Sequence, residues 1–114
     1  MGMRVVYVAG PYRGDTPWDV ECNVRQAEQA TLELAQVGFA PVCPHTMYRF
    51  FDKVLPDSFW LGATLELMRR CDAVFVTDFW QLSLGARAEV ADAKERGIPV
   101  FDDVTAIIDW KATV

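Results

Sequence analysis

The chain has 114 residues, 52% of them hydrophobic, including four Trp and seven Phe, which fits one domain (1–114) with a real core and excludes a disordered chain. Its formal net charge of −5 excludes duplex nucleic acid as an expected partner, because phosphate neutralisation needs a basic face. A small phosphorylated ligand stays open, since helix N-terminal amides and one or two arginines can hold a single phosphate.

The run "RVVYVA" (4–9) is continuous, apolar and β-branched and stops at Gly10-Pro11, so it reads as a strand buried on both faces. In "WDVECNVRQAEQATLELAQVG", Val20, Val24, Ala27, Thr31 and Leu34 recur at three- and four-residue steps, which predicts a helix ended by Gly38. "FAPVCP" (39–44) is a short strand interrupted by prolines and belongs near a sheet edge. "HTMYRFFDKVLPDS" is irregular, and "FWLGATLELMRRC" (59–71) is helical with Leu61, Leu65 and Met68 on one face. "DAVFVTD" (72–78) is a second fully buried strand. A helix over 83–96 follows, stopped by Gly97, and then the short strand "IPVF" (98–101) and a last helix over 104–111.

Strands alternating with helices predict an α/β fold with right-handed crossovers. The expected architecture is three-layer and flavodoxin- or Rossmann-like: a parallel sheet of four to five strands, 4–9 and 72–77 central, with helices on both faces. The longest apolar runs are strand-sized, far short of the ~20 residues of a membrane span, so no membrane is expected as a partner. "MGMRVVYVAGPYRG" passes straight into a strand and does not read as a secretory signal. Cys22, Cys43 and Cys71 are odd in number and widely spaced and there is one histidine, so we expect reduced thiols, a cytoplasmic location and no metal.

Ligands of such sheets bind beyond the carboxyl ends of the strands, which singles out loops 9–16, 43–50 and 78–85. The first, "AGPYRGDTPW", lacks both the dinucleotide G-x-G-x-x-G spacing and the G-K-[ST] of a phosphate loop, so no dinucleotide or other cofactor is expected. Gly10 and Gly14 are either turn residues or places where a ligand reaches the backbone, with Tyr7 and Arg13 reaching into the site. In the second, His45 follows a strand end and serves either as a ligand contact or in a loop hydrogen bond; Met47, Tyr48, Phe50 and Phe51 form an apolar cluster beside it. Phe79 and Trp80 either cover the core or a dimer interface or stack on a base.

The third loop raises a question of its own. Ser83 is a good N-cap, yet Gly85 costs about 1 kcal/mol relative to Ala inside a helix. The free N–H groups of residues 84–86, including Ala86, would form an anion site with the helix dipole behind them, and Gly85 would give it room. Glu89 lies one turn beyond Gly85 on the same side of the helix. It is either a carboxylate facing this site or a solvated residue paired with Arg87 or Lys94. Asp78, at the strand end, either reaches the site or caps the loop.

Taken together, "YVAGPYRG", "LELMRRCDAVFV" and "SLGARAEVADAKERGIPVF" resemble the nucleoside 2-deoxyribosyltransferase superfamily. Within it the chain is similar to the small DUF4406 proteins and to the 2′-deoxynucleoside 5′-phosphate N-hydrolases, which share the Ser-x-Gly-x-x-x-Glu spacing of Ser83, Gly85 and Glu89. The resemblance implies cleavage of an N-glycosidic bond in a deoxynucleoside or its 5′-monophosphate. Glu89 would be the nucleophile, assisted by Tyr7, and a covalent deoxyribosyl ester would then be resolved by water or a second base. It also implies that Ser83 and the 85–86 backbone hold the 5′-phosphate, and that neighbouring subunits of a homodimer or higher homo-oligomer complete the site. One departure stands out. Relatives carry an aspartate about eight residues before the Asp of the third strand, where this chain has Thr64, and Glu66 is about 200° further round the helix. Asp52 and Asp57 are the other carboxylates that could stand in. The alternative expectation is a non-catalytic nucleotide-binding module or sensor that keeps the phosphate cradle.

Overall fold

The computed structural model describes residues 2–113. Strand β1 (Val5–Ala9) leads through a loop to α1 (Pro17–Gln36), which begins in a capping box: Asp19 N–H donates to Thr16 Oγ1 at 3.1 Å, and Thr16 N–H donates back to the Asp19 carboxylate at 3.1 Å. The helix buries Val24, Ala27, Ala30 and Leu34. Val20 and Thr31, expected on the core face, are only half-buried, whereas Ala30 is buried. Gly38 ends the helix at φ +95°, a left-handed conformation that lets Phe39 N–H return to the Leu34 carbonyl at 3.0 Å.

Then follow β2 (Ala40–Val42), the single turn α2 (Pro44–Met47), α3 (Asp57–Arg69) and β3 (Ala73–Val76). A 3-10 turn at Trp80–Leu82 feeds α4 (Leu84–Glu95), and β4 (Val100–Phe101) and α5 (Val104–Ala112) complete the chain. The strands form one parallel sheet in the order β2-β1-β3-β4, so the two apolar runs are central and the proline-interrupted strand is at an edge, as expected. Tyr7 stands in register with Val74, and Ala9 with Val76.

The two-residue period of the strands divides the core into two layers. Val6 and Val8 of β1 and Ala73 and Phe75 of β3 face α1 and α5, packing with Leu34, Phe39 and Ile107. Tyr7, Ala9, Val74 and Val76 face α3 and α4, packing with Met68, Val90 and Ala93. The three-layer α/β architecture is therefore present. One detail of α3 differs: Met68 is buried and Leu65 packs against the core, but Leu61, expected on the same face, is exposed and lines a cavity. Leu61 sits two turns nearer the N-terminus, where α3 runs out past the strand ends.

Because β2 and β3 lie on opposite sides of β1, the chain reverses its winding direction at the carboxyl ends of β1 and β3. A crevice opens at such a switch point. The backbone there is tight. A Cβ on Gly10 would run into the Thr77 hydroxyl, so glycine is required where the two central strands part.

Candidate active site

Glu89 is 7% exposed, in the second turn of α4, and the Tyr7 hydroxyl donates a buried hydrogen bond to its carboxylate. The strand period turns Tyr7 toward α4, and the cap at Ser83 sets the helical phase that turns Glu89 toward β1. The solvated reading of Glu89, paired with Arg87 or Lys94, is excluded by this burial and partner. Burial pushes the Glu89 carboxyl above its ordinary range, while the Tyr7 hydrogen bond and the nearby Thr64 hydroxyl and His45 act against that rise. Burial first, and the Glu89 charge second, push the Tyr7 phenol far above its usual range, so it stays protonated and donating. Thr64, whose hydroxyl donates to the Leu61 carbonyl at 3.1 Å, stands beside both groups.

This pair lies in the wall of a cavity of about 790 Å³ at the switch point, and all three loops singled out by the fold rule contribute to it. Of the residues expected in the site, Tyr7, Gly10, Arg13, His45, Ser83, Gly85, Ala86 and Glu89 line the cavity. Gly14 and Asp78 do not. Gly14 is small because a Cβ there would strike Asp19 at the start of α1, and Asp78 is an exposed turn residue.

At one end of the cavity stands the N-terminus of α4. Ser83 Oγ accepts from Ala86 N–H at 3.2 Å, which corrects the expectation of three free amides: the Ala86 amide is committed to the cap. The N–H groups of Leu84 and Gly85 have no partner among the described residues, and the Ser83 hydroxyl proton remains available. A Cβ on Gly85 would meet only Ser83 Oγ, at 3.9 Å, so nothing within the protein requires glycine there. Arg13 is held in an exposed ion pair with Asp57 at the start of α3; both line the cavity. Each holds the other in its charged form: Asp57 pushes the guanidinium up and Arg13 pulls the carboxyl down.

Part of the lining, His45, Tyr48, Asp52, Asp57 and Ser58, comes from the segment that sequence reasoning left irregular. His45 is 7% exposed, its Nε2–H donates to the Pro11 carbonyl at 2.8 Å, and its ring meets Tyr12 edge-on with centroids 5.6 Å apart. The loop hydrogen bond is thus present, on a residue that also lines the cavity. Tyr12, Tyr48 and Trp60 supply aromatic surface, and Asp52 accepts a long 3.4 Å hydrogen bond from the Tyr12 hydroxyl. Asn23 of α1 anchors the first loop through its amide, donating to the carbonyls of Tyr12 at 3.2 Å and Arg13 at 3.1 Å. Asn23, Tyr12 and Trp60 were not recognised from sequence, although Tyr12 lies in the loop 9–16 that the fold rule singles out; an asparagine within α1 and a tryptophan in the first turn of α3 carry no local signal of a site. Glu66 faces solvent and pairs with Arg70 at 3.0 Å, so it does not replace an acid at Thr64. Trp80 packs against the core layer around β3, whereas Phe79 projects at the cavity, 67% exposed and at φ +65°.

Cys22, Cys43 and Cys71 are free thiols, and among the described residues no three His, Cys, Asp or Glu side chains gather as a metal site would require. No helix among the described residues is long and apolar enough to cross a membrane. No curated protein matches the chain. Residues 4–102 match a family described as a domain of unknown function (DUF7768), and with most of its length in that match the chain belongs to the DUF7768 family.

Proposed function

We propose that the protein cleaves the N-glycosidic bond of a 2′-deoxynucleoside 5′-monophosphate. The observation that carries this reading is the buried Tyr7–Glu89 pair in a cavity whose other end is a helix N-terminus with two unpartnered amides. The 5′-phosphate sits against Ser83 Oγ and the Leu84 and Gly85 amides, in the space Gly85 leaves open, with the helix dipole behind it. The sugar then lies along the first turns of α4, which brings C1′ toward Glu89.

The transition state is oxocarbenium-like, so an anion beside C1′ both stabilises and captures it. A Glu89 oxygen forms a bond to C1′ as the C1′–N bond breaks, and the bonding pair leaves with the base. Tyr7 orients the carboxylate and spreads its charge. Water, or a second base, then attacks C1′ and releases the sugar from Glu89. The chain's similarity to the deoxyribosyltransferase superfamily, through Ser83, Gly85 and Glu89, supports the same chemistry.

A second reading, a nucleotide-binding module without catalysis, is favoured by Thr64, because a neutral residue there cannot protonate the departing base. A panel of deoxynucleosides and their monophosphates, assayed for released base and for binding, separates the two. Released base that disappears in Glu89→Gln supports the first, and binding without release leaves the second. Equal affinity for nucleosides and monophosphates removes the phosphate role.

We place the active form in the cytoplasm as a homodimer or larger. Three unpaired thiols support the location. Leu82 and Leu84 are each 82% exposed, and with Phe79 they form an apolar rim at the cavity mouth that a second copy would cover. Light scattering at micromolar concentration tests this, and a monomer overturns it.

A further inference from the structure

Segment 49–55, between the single turn α2 and helix α3, borders the cavity: Asp52 within it and Tyr48 just before it both line the space. None of its residues is buried, and Phe50, Phe51, Val54 and Leu55 expose large apolar side chains, Phe50 by 78%. Its backbone is held by two hydrogen bonds, each spanning three residues: Phe51 N–H to the Tyr48 carbonyl at 3.0 Å and Val54 N–H to the Phe51 carbonyl at 2.9 Å. The flanks are firmer. Tyr48 N–H donates to the Pro44 carbonyl at 3.0 Å and its ring lies 5.0 Å from that of Trp60, while the Pro56 carbonyl accepts from Phe59 N–H at 3.0 Å as α3 begins. A stretch with few contacts between fixed ends opens and closes at low free-energy cost.

Phe50 makes this specific. Among the described residues, Phe50 and Phe79 are the two non-glycine residues in the left-handed region, at φ +73° and +65°. That conformation is unfavourable for a bulky side chain and, where it persists, points to function. Phe79 lines the cavity and Phe50 does not. The Phe50 ring instead carries the Arg49 guanidinium 4.9 Å from its centroid, and Arg49 is tied to Glu21 of α1 in a half-buried ion pair. The contacts Glu21–Arg49–Phe50 thus hold a strained, solvated ring beside a cavity that it does not enter. From Asp52 to the β1–α1 loop runs only the long 3.4 Å hydrogen bond donated by Tyr12.

Resting on the deoxynucleotide reading above, we infer that segment 49–55 is a lid that folds over the bound nucleotide with Phe50 at its tip, and that the Glu21–Arg49–Phe50 contacts are the latch that keeps it open. Closure takes the exposed apolar side chains out of water and frees Phe50 from its strained conformation. It also screens the reacting C1′ from bulk solvent, as lids over active sites do. Tyr48 and Pro56 are the hinges.

Hydrogen exchange read by mass spectrometry tests this on the wild type and on Glu89→Gln, with the 5′-monophosphates of deoxyadenosine, deoxyguanosine, deoxycytidine and thymidine each added in turn. In the free chain the amides of 49–55 should exchange fast; a bound monophosphate should slow them by about ten-fold or more, with those of α5 unchanged. Phe50→Gly suits the left-handed backbone, so the variant folds, and it lacks the tip. Its bound monophosphate should leave about ten-fold faster with association unchanged, and Phe50→Leu should restore most of the residence time. Glu21→Gln releases the latch, so 49–55 should exchange faster in the free chain and monophosphates should bind a few-fold more tightly. A merely structural role would weaken binding in both variants. Unchanged exchange of 49–55 on binding, or a Phe50→Gly residence time like that of the wild type, overturns the lid and leaves nucleotide binding intact. If none of the four monophosphates binds, the deoxynucleotide reading fails and the lid falls with it.

Discussion

Tyr7 and Glu89 lie 82 positions apart in sequence and meet in a buried hydrogen bond, phenol to carboxylate, at the point where the central strands of the sheet part. The contact depends on two local periodicities that have no knowledge of each other. The strand alternation turns Tyr7 to the α3/α4 side, and the phase set by the Ser83 cap turns Glu89 inward from α4. A carboxylate so placed is costly to bury, and the protein retains it with a single strong donor and a neighbouring hydroxyl.

That cost has a sign. Burial raises the Glu89 carboxyl above its ordinary value, so the folded state binds its proton more tightly than the unfolded chain does. The associated stability is fully present below the unfolded value and is lost as pH rises through the raised folded value. Glu89→Gln should therefore unfold at a higher temperature than the wild type near neutral pH, with the difference shrinking as pH falls toward 4.5. Thermal unfolding across that range checks it; a constant difference at all pH values would show that titration is not the cause. In the same variant, base release should fall by several orders of magnitude with binding kept within a few-fold, because the lost interaction forms chiefly in the transition state.

Gly85 should show a trade between stability and binding. A methyl group at this position meets only Ser83 Oγ, at 3.9 Å, so Gly85→Ala fits the folded chain and should stabilise it by about 0.5–1 kcal/mol. The same methyl enters the space assigned to the phosphate, so monophosphate affinity should drop while nucleoside affinity holds. Denaturant unfolding and titration read the two effects separately. A stabilised variant with unchanged monophosphate affinity would place the phosphate elsewhere.

Arg13 is engaged by Asp57 rather than by the helix end, and both groups are well exposed. For Arg13 to meet a phosphate it must leave Asp57, whose own charge also repels the ligand. Asp57→Asn should therefore tighten monophosphate binding by a few-fold and change nucleoside binding little, with almost no effect on stability, since exposed pairs contribute roughly 0–1 kcal/mol. Weaker monophosphate binding in this variant would mean that Asp57 holds Arg13 in its working position.

Thr64 stands beside Glu89 and Tyr7, where a carboxylic acid would serve a departing base. Thr64→Asp should accelerate base release, most for poor leaving groups, by up to the 10²–10⁴-fold typical of a positioned general acid. The new carboxyl must be protonated to act, and the anionic Glu89 together with burial would raise its pKa in that direction. The gain should fade at alkaline pH. A pH–rate comparison of wild type and variant measures it, and an unchanged leaving-group dependence would show that proton donation is supplied elsewhere.

Sequence alone determined the features whose causes are local. Apolar β-branched runs defined both central strands, the glycines at 38 and 97 marked helix ends, and the Ser83 cap set the start of α4. The alternation of strands and helices then specified a parallel sheet and the loops at its carboxyl edge. Tertiary structure decided the rest. A glutamate in an Ala-rich helix reads as solvated until β1 packs against it, because burial is a property of the partner surface. Whether Arg13 points to the helix end or to Asp57, and whether Asp52 and Trp60 line the same cavity as Tyr12, depends on how segment 48–60 folds back over the strand ends. That segment has no period of its own, so its course follows from long-range packing of its aromatic residues, which no local pattern records.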